Sequence, residues 1–532
     1  MSETALGPAA RAAALERMRR ERFDLLVVGG GITGVGIALD AATRGLSVGL
    51  VEAHDIAAGT SSRSSKLIHG GLRYLEMRDF GLVREALRER RLLLTKLAPH
   101  LVRPVPFLFP LRHRLWERPY LGAGLLLYDT MGGARHVPRS QHLSKRAALR
   151  SAPALRPDSL VGAVRFHDAQ EDDARFAVHV ARTAAGHGAA IATRAAVTGF
   201  ARDEAGRIVG ACVRDDLGGR ELDVRARHTL VAVGVATDRV LELATGRPQH
   251  ALRPSKGIHV LVPRAAIRME TGLFMRTEKS IFHAIPWGAD HWLLGDTDTE
   301  WDGEPDAPVA NRADVDYVLA KVNSVLVRPV AKAEICGVYA GLRPLVAAEG
   351  TASTARLSRE HRLFAPLPGL TAIAGGKYTT YRVMARDAVD AAGRDLGRVR
   401  PSRTHEVPLV DAAGEVDALV AADAALAEPI AGTRHRRADA VHACTHEAAL
   451  DLDDVLTRRL RISIEVPDRG RAAAAAIAPP VASALGWSDA RAADELARYL
   501  RLRDAEAAAE DAPDDATARA RYRAVLDAPK GV

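Results

Sequence analysis

Cysteine is almost missing from this chain: Cys212, Cys336 and Cys444 are the only three in 532 residues. Three distant thiols cannot build a disulfide framework, and no CxxC or Cys/His spacing offers a zinc site, so no metal is expected and a reducing, cytoplasmic compartment is the natural reading. Long apolar runs are missing too. The longest, Leu25 to Leu39, is broken by glycines and falls short of the roughly 20 residues a membrane-spanning helix needs, so any membrane contact must be peripheral. The N-terminus, MSETALGPAARAAALERMRR, lacks the apolar core and cleavage site of a secretory signal. Residues 1–22 therefore read as a leader, disordered or helical. Internal repeats are absent, as are the RRM, KH, zinc-finger and basic-zipper patterns, and no nucleic-acid partner is expected.

What is present is length, apolar content and positive charge. Nearly half the chain is apolar, enough for about two to four domains. A net charge of +8 and a pI near 9.5 favour anionic partners, such as a phosphorylated metabolite or an acidic lipid surface.

The opening reads as strand, turn, helix, strand. FDLLVV is a continuous apolar run, ITGVGIALDAATRG spaces its apolar residues as a helix does, and LSVGLVE is a second buried strand. A charged helix is expected over about Phe80 to Leu97, with Phe80, Val83, Leu87 and Leu94 on one side. The middle of the chain mixes β-rich runs such as GIHVLVP, IFHAIPW and HWLLGDTDT with a helix at Asp173 to Gly186. LTAIA at Leu370 to Ala374 is a late apolar strand, followed by a Gly-rich turn that opens a helix. The expected fold is α/β: a discontinuous Rossmann-like domain over 23–102, 185–250 and 350–395, an α+β cap over 103–184 and 251–349, and a helical domain over 405–532.

In GGGITG, Gly29, Gly31 and Gly34 meet the pattern GxGxxG. The first permits the tight turn, the second lets a pyrophosphate approach the backbone, and the third lets helix and strand pack. Glu52, about twenty residues on, is placed to accept hydrogen bonds from ribose hydroxyls. NAD would fit this turn as well as FAD. The choice of FAD rests on the next loop, where Thr60, Ser61, Ser62, Ser64 and Ser65 supply hydroxyls, Arg63 and Lys66 supply charge for phosphate, and His69, Gly70 and Gly71 let the chain turn beside a ring.

This loop, GTSSRSSKLIHGGLRYLE, resembles the FAD-dependent glycerol-3-phosphate dehydrogenases almost residue for residue. RPSKGIHVLVP, IPWGADHWLLGDTDTEWDG, YAGLRPL and AGGKYTTYR are similar to the same family, in the family's order, and the C-terminal region is similar to its helical domain. The resemblance implies oxidation of sn-glycerol 3-phosphate to dihydroxyacetone phosphate, with hydride passing to flavin N5 and electrons to a membrane quinone. Arg343 is the first choice for the phosphate, because a guanidinium can bind two of its oxygens. By resemblance Arg73, Tyr74 and Lys377 join it, and Gly234, Gly376, Lys377 and Thr379 adjoin the flavin. His259 is the candidate general base, since imidazole titrates near working pH; taken alone such a residue is more often a satisfied strand histidine, and its place inside the family's motif reverses that. Gly375, Gly376 and Lys377 are expected to open a helix whose positive end favours reduced flavin. The resemblance further implies peripheral contact with an anionic membrane at the inner face of the cell membrane, and a homodimer.

Two departures from the family's pattern stand out. VAVGVATD carries Val233 and Ala236 where the family has Thr and an aromatic residue, and Asp296 replaces the first Thr of a Gly-Thr-Thr-Asp segment. An inward-pointing Asp296 would oppose a phosphate dianion. Other readings left open are a glycerol-3-phosphate oxidase that makes hydrogen peroxide from oxygen, a flavin amine or amino-acid oxidase, and a flavin-binding protein without turnover.

Overall fold

Two sheets hold in place the short stretches of main chain that carry the site. The computed structural model describes residues 3–71, 79–113, 116–132, 137–277, 281–305, 308–347 and 360–527; Arg73 and Tyr74 lie outside these. Among the described residues the first sheet has eight strands. Its central strands run in parallel in the order Leu370–Gly375, Arg220–Val231, Arg22–Val28, Val48–Val51, Ala190–Ala192. Their continuous apolar runs follow from burial on both faces. Leu25, Leu26, Val27, Val48 and Leu50 are all inaccessible to solvent.

The helix Ile32–Thr43 packs on this sheet between the helices Asp173–Gly186 and Tyr381–Leu396. Its small residues permit the close approach: a Cβ at Gly36 would sit 2.9 Å from Tyr381 Cδ2. The helix Asp173–Gly186 thus belongs to the nucleotide layer, although the boundary at 184 assigned most of it to the cap, because its apolar face is buried on Ile32–Thr43. At the N-terminus, the stretch expected to be disordered or helical is a helix, Pro8–Arg20, with Ala14 and Met18 buried against the sheet.

The second sheet has ten strands among the described residues. Toward one end lies the strand Ser255–Pro263, flanked antiparallel by His291–Gly295 and Gly337–Arg343, with Ile281–Trp287 and Gly272–Arg276 following toward the middle. Leu67–Ile68, which leaves the Ser-rich loop, joins the far edge of this sheet and so ties the loop to both layers. Beyond residue 410 the chain is helical, including Arg437–His446, Arg471–Leu485, Asp489–Glu510 and Asp515–Asp527.

The helix expected over Phe80 to Leu97 is α-helical at Phe80–Leu92 and ends in a π-helical turn, Leu93–Leu97. Val83 and Leu87 are buried as expected, whereas Phe80, in the first turn, is 48% exposed.

Candidate active site

A cavity of about 890 Å³ runs between the two sheets, with Gly29 and Glu52 near one end and His259 and Arg343 near the other. Of the expected site residues, Gly31, Thr60, Ser61, Ser65, His69, Gly71, Gly234, Gly376, Lys377 and Thr379 also line it. Gly34, Ser62, Lys66 and Gly70 do not line it.

The glycines of the first turn act as the spacing implied. Gly29 has φ +111°, and a Cβ there would lie 2.6 Å from the Ala232 carbonyl oxygen. A Cβ at Gly34 would lie 1.9 Å from the Gly29 carbonyl oxygen, so only glycine allows helix and strand to pack. Gly31 is the N-cap of the helix and has no side chain to close its end. The helix N-terminus therefore lies against the cavity without a side-chain cap of its own, which suits a pyrophosphate. Ser61 Oγ accepts from the Ile32 amide at 2.9 Å and fixes the opposite wall. Glu52 accepts from the Gly30 amide at 2.5 Å and the His54 amide at 2.8 Å, so it also holds the turn itself. These residues fit the pyrophosphate and ribose of a dinucleotide.

Lys66 was expected to neutralise phosphate; the structure corrects this. Its side chain is fully buried and turned from the cavity, with Nζ 2.8 Å from Asp173 and 3.2 Å from the Ser62 carbonyl oxygen. The sequence shows the charge but not its partner, which lies 107 residues further on. Arg461 joins Asp173 and Asp172 to complete the buried cluster. Burial, then the Arg461 guanidinium, lowers the Lys66 pKa while Asp173 raises it. Ser62 Oγ donates back to the Gly59 carbonyl at 3.3 Å. Gly70 serves packing: a Cβ there would lie 2.4 Å from Leu87 Cδ2, and its amide donates to the Tyr128 hydroxyl at 2.9 Å.

At the other end, five strands place one row of residues side by side: Tyr339, His259, Gly295, His283 and Phe274 are successive cross-strand partners. Cross-strand partners share a face of the sheet. His259 stacks on Tyr339 with ring centroids 5.0 Å apart, and Phe274 meets His283 edge-on at 4.5 Å. Gly295 keeps the gap between the imidazoles open, since a Cβ there would lie 2.5 Å from His259 Cδ2. His259 Nε2 is 2.9 Å from Ser65 Oγ, and its Nδ1 is buried with no hydrogen-bond partner among the described residues. Burial pulls its pKa down to about 3, against the opposing pull of Asp296. The ring is therefore neutral and able to accept a proton.

Asp296 points inward. Its carboxylate pairs with Arg343 Nη2, which also donates to the Thr297 carbonyl at 2.9 Å, while Nη1 donates to Ser255 Oγ at 3.3 Å. Burial alone would raise the pKa of Asp296, but Arg343, His283 and His259 bring it to about 2. The guanidinium expected to hold a phosphate already holds a carboxylate. His283, which lines the same end of the cavity, is the residue that sequence reasoning missed. It sits inside a β-rich run, and only the strand register brings it level with His259.

Gly375 and Gly376 both have positive φ, +78° and +82°, as the Gly-rich turn requires. The helix does not start there, as expected, but one turn later: Tyr378–Thr380 is a 3-10 turn, and the α-helix is Tyr381–Leu396. Thr379 Oγ1 accepts from the His69 amide at 3.1 Å, joining this turn to the Ser-rich loop. Arg382 is buried and paired with Glu89, Nε to Oε2 at 2.8 Å. Val233 and Ala236 line the cavity beside Gly29; a Cβ at Gly29 would come within 3.1 Å of Val233 Cγ1.

Fold and site together define a flavin-dependent oxidoreductase. Residues 24–382 match the FAD dependent oxidoreductase family, and residues 411–492 match the C-terminal domain of alpha-glycerophosphate oxidase. Glycerol-3-phosphate dehydrogenase 2 of Mycobacterium tuberculosis (strain H37Rv) is 48% identical over 550 residues, 97% of this chain and 94% of that protein. The human mitochondrial glycerol-3-phosphate dehydrogenase is 38% identical over 414 residues, 75% of this chain and 56% of that protein. The chain belongs to the glycerol-3-phosphate dehydrogenase family of FAD-dependent enzymes. The crystal structure of a glycerol-3-phosphate dehydrogenase from Bacillus halodurans complexed with FAD is similar, with TM-score 0.73 and 26% identity over 94% of this chain and 97% of that one. An L-alpha-glycerophosphate oxidase from Mycoplasma pneumoniae shares the fold, with TM-score 0.57 and 19% identity over 74% of this chain and all of that one.

Proposed function

We propose that this enzyme oxidises sn-glycerol 3-phosphate to dihydroxyacetone phosphate and passes the electrons to a membrane quinone. The observation that carries the reading is the buried His259, held by Ser65 in a row with His283, lining the same cavity as Arg343 and Lys377. Bound FAD supplies the hydride acceptor. Arg343 and Lys377 hold the substrate phosphate, with Arg73 and Tyr74 joining them by resemblance to the family. The cofactor is held by Gly29, Gly31, Glu52, Thr60, Ser61, Ser65, His69, Gly71, Gly234, Gly376 and Thr379. His259 takes the proton from the C2 hydroxyl, and Ser65 fixes the ring's orientation. The arriving phosphate dianion raises the proton affinity of the buried imidazole toward the working range, because a nearby negative charge favours the protonated ring.

The quinone assignment is supported by the surface. Among the described residues no helix is long and apolar enough to cross a membrane, yet the helix Glu117–Gly132 and its approach expose Trp116, Tyr120 and Leu127 beside Arg112 and Arg118. Interfacial aromatic residues with flanking arginine suit an anionic bilayer surface at the inner face of the cell membrane. Turnover with glycerol 3-phosphate is measured with a quinone in anionic vesicles and, separately, with oxygen alone. Fast quinone reduction without hydrogen peroxide supports the reading; stoichiometric peroxide makes the enzyme an oxidase.

A further inference from the structure

The C-terminal helices stand over the cofactor cavity, and their attachment is placed where the adenosine half of a dinucleotide would lie. Two segments of the nucleotide domain form that rim: Glu52 to Asp55, which leaves the strand Val48–Val51, and the turn at Arg194. They are joined by backbone hydrogen bonds, Ala195 amide to Glu52 carbonyl at 2.8 Å and Arg194 amide to His54 carbonyl at 2.9 Å. Each segment also sends a charged side chain across to the C-terminal domain. Asp55 accepts from Arg458 Nε at 2.6 Å and from Arg459 at 2.7 and 2.8 Å. Arg194 donates to Asp451 at 2.7 Å and to Asp454 at 2.8 Å. Asp55, Asp454 and Arg459 are at most 2% exposed.

The same domain reaches the cavity itself. Asp451 and Arg458, with Arg498 and Leu502 of the helix Asp489–Glu510 and Tyr522 of the helix Asp515–Asp527, line the cavity that Gly29, Gly31 and Glu52 line. Arg498 donates to Asp451, so the long helix is linked through that carboxylate to Arg194. Buried ion pairs of this kind favour one closed geometry, because separating them strands a charge away from water.

We infer that the C-terminal helical domain is part of the apparatus that retains FAD: it forms the outer wall of the adenosine end and is clasped to the rim through Asp55 and Arg194. The clasp controls how fast the adenosine half leaves, while the Gly-rich turn determines whether it binds at all. This role is separate from substrate oxidation and stands on the cofactor alone.

Release of FAD from the holoenzyme is followed by flavin fluorescence in the presence of an excess of a flavin-scavenging apoprotein. Asp55→Asn opens the clasp, and Arg498→Ala removes a half-exposed side chain from the wall. Arg471→Ala, whose exposed partner is Asp504, alters the same domain away from the cavity. FAD release accelerated about tenfold or more in Asp55→Asn and severalfold in Arg498→Ala, with Arg471→Ala unchanged, is the expected result. Unchanged release in both rim variants overturns the inference, as does equal acceleration in all three. Should Asp55→Asn fail to fold, Arg498→Ala against Arg471→Ala decides alone.

Discussion

On the proposed reading His259 and Asp296 are the two residues on which the chemistry turns, and each has a measurable signature. Removing the base in His259→Asn should lower kcat by about 10²–10⁴-fold while the flavin spectrum of the purified protein stays intact. In the free enzyme the His259 pKa is about 3, so the ring stays neutral as pH falls from 8 to 5 and contributes no inflection there. Any limb of kcat/KM near pH 6 should belong to the second ionisation of the substrate phosphate and should move when a phosphonate analogue replaces it. A limb fixed near pH 6.5 for both substrates would contradict this assignment. Asp296→Thr frees Arg343 and should lower KM for glycerol 3-phosphate by about tenfold, which corresponds to about 1.4 kcal/mol; an unchanged or higher KM would remove Asp296 from the account of specificity. At this scale the sequence was legible where a residue acts through a local backbone motif, as Gly29 and Gly34 do. It misled at Lys66, whose role depends on Asp173, and it was silent at His283, whose neighbours come from other strands.

The strands and turns were readable because their physics is local. Continuous apolar runs marked the parallel strands Arg22–Val28 and Val48–Val51, and the 3.6-residue period marked the helix Asp173–Gly186 from its first residue to its last. Register was not readable, since cross-strand pairing depends on loops far away in the chain; that is why the row from Tyr339 to Phe274 emerges only in the fold. The start of the helix after Gly376 was missed by one turn because a 3-10 turn shares most of its sequence preferences with an α-helix. The row gives its own test. In Gly295→Ala the new Cβ meets His259, so kcat should fall while FAD remains bound, as judged by the visible spectrum. In Gly34→Ala the helix can no longer close on the Gly29 carbonyl, and the protein should purify without flavin. The opposite pairing of outcomes would contradict the division between cofactor turn and catalytic row.

At the scale of the molecule, a nucleotide-binding sheet, a cap sheet and a helical domain enclose one cavity, and an aromatic, arginine-flanked surface lies on the helix Glu117–Gly132. The discontinuous nucleotide domain could be anticipated, because its late strand and Gly-rich turn have their own local patterns. The clasp between the rim and the C-terminal helices could not, because it joins Asp55 to residues some 400 positions away, 403 in the case of Arg458. If the aromatic surface docks on membranes, Trp116→Ser combined with Tyr120→Ser should abolish sedimentation with anionic vesicles and leave turnover with a soluble dye unchanged. The central claim is that glycerol 3-phosphate delivers hydride to the flavin of this enzyme with His259 as base. It is tested most directly by recording the flavin spectrum anaerobically while glycerol 3-phosphate is added to the wild-type protein and to His259→Asn. The account predicts rapid loss of the oxidised band in the wild type and bleaching slowed by about 10²-fold or more in the variant. A wild-type protein that keeps its oxidised spectrum with saturating substrate, or a variant that bleaches as fast, would contradict it.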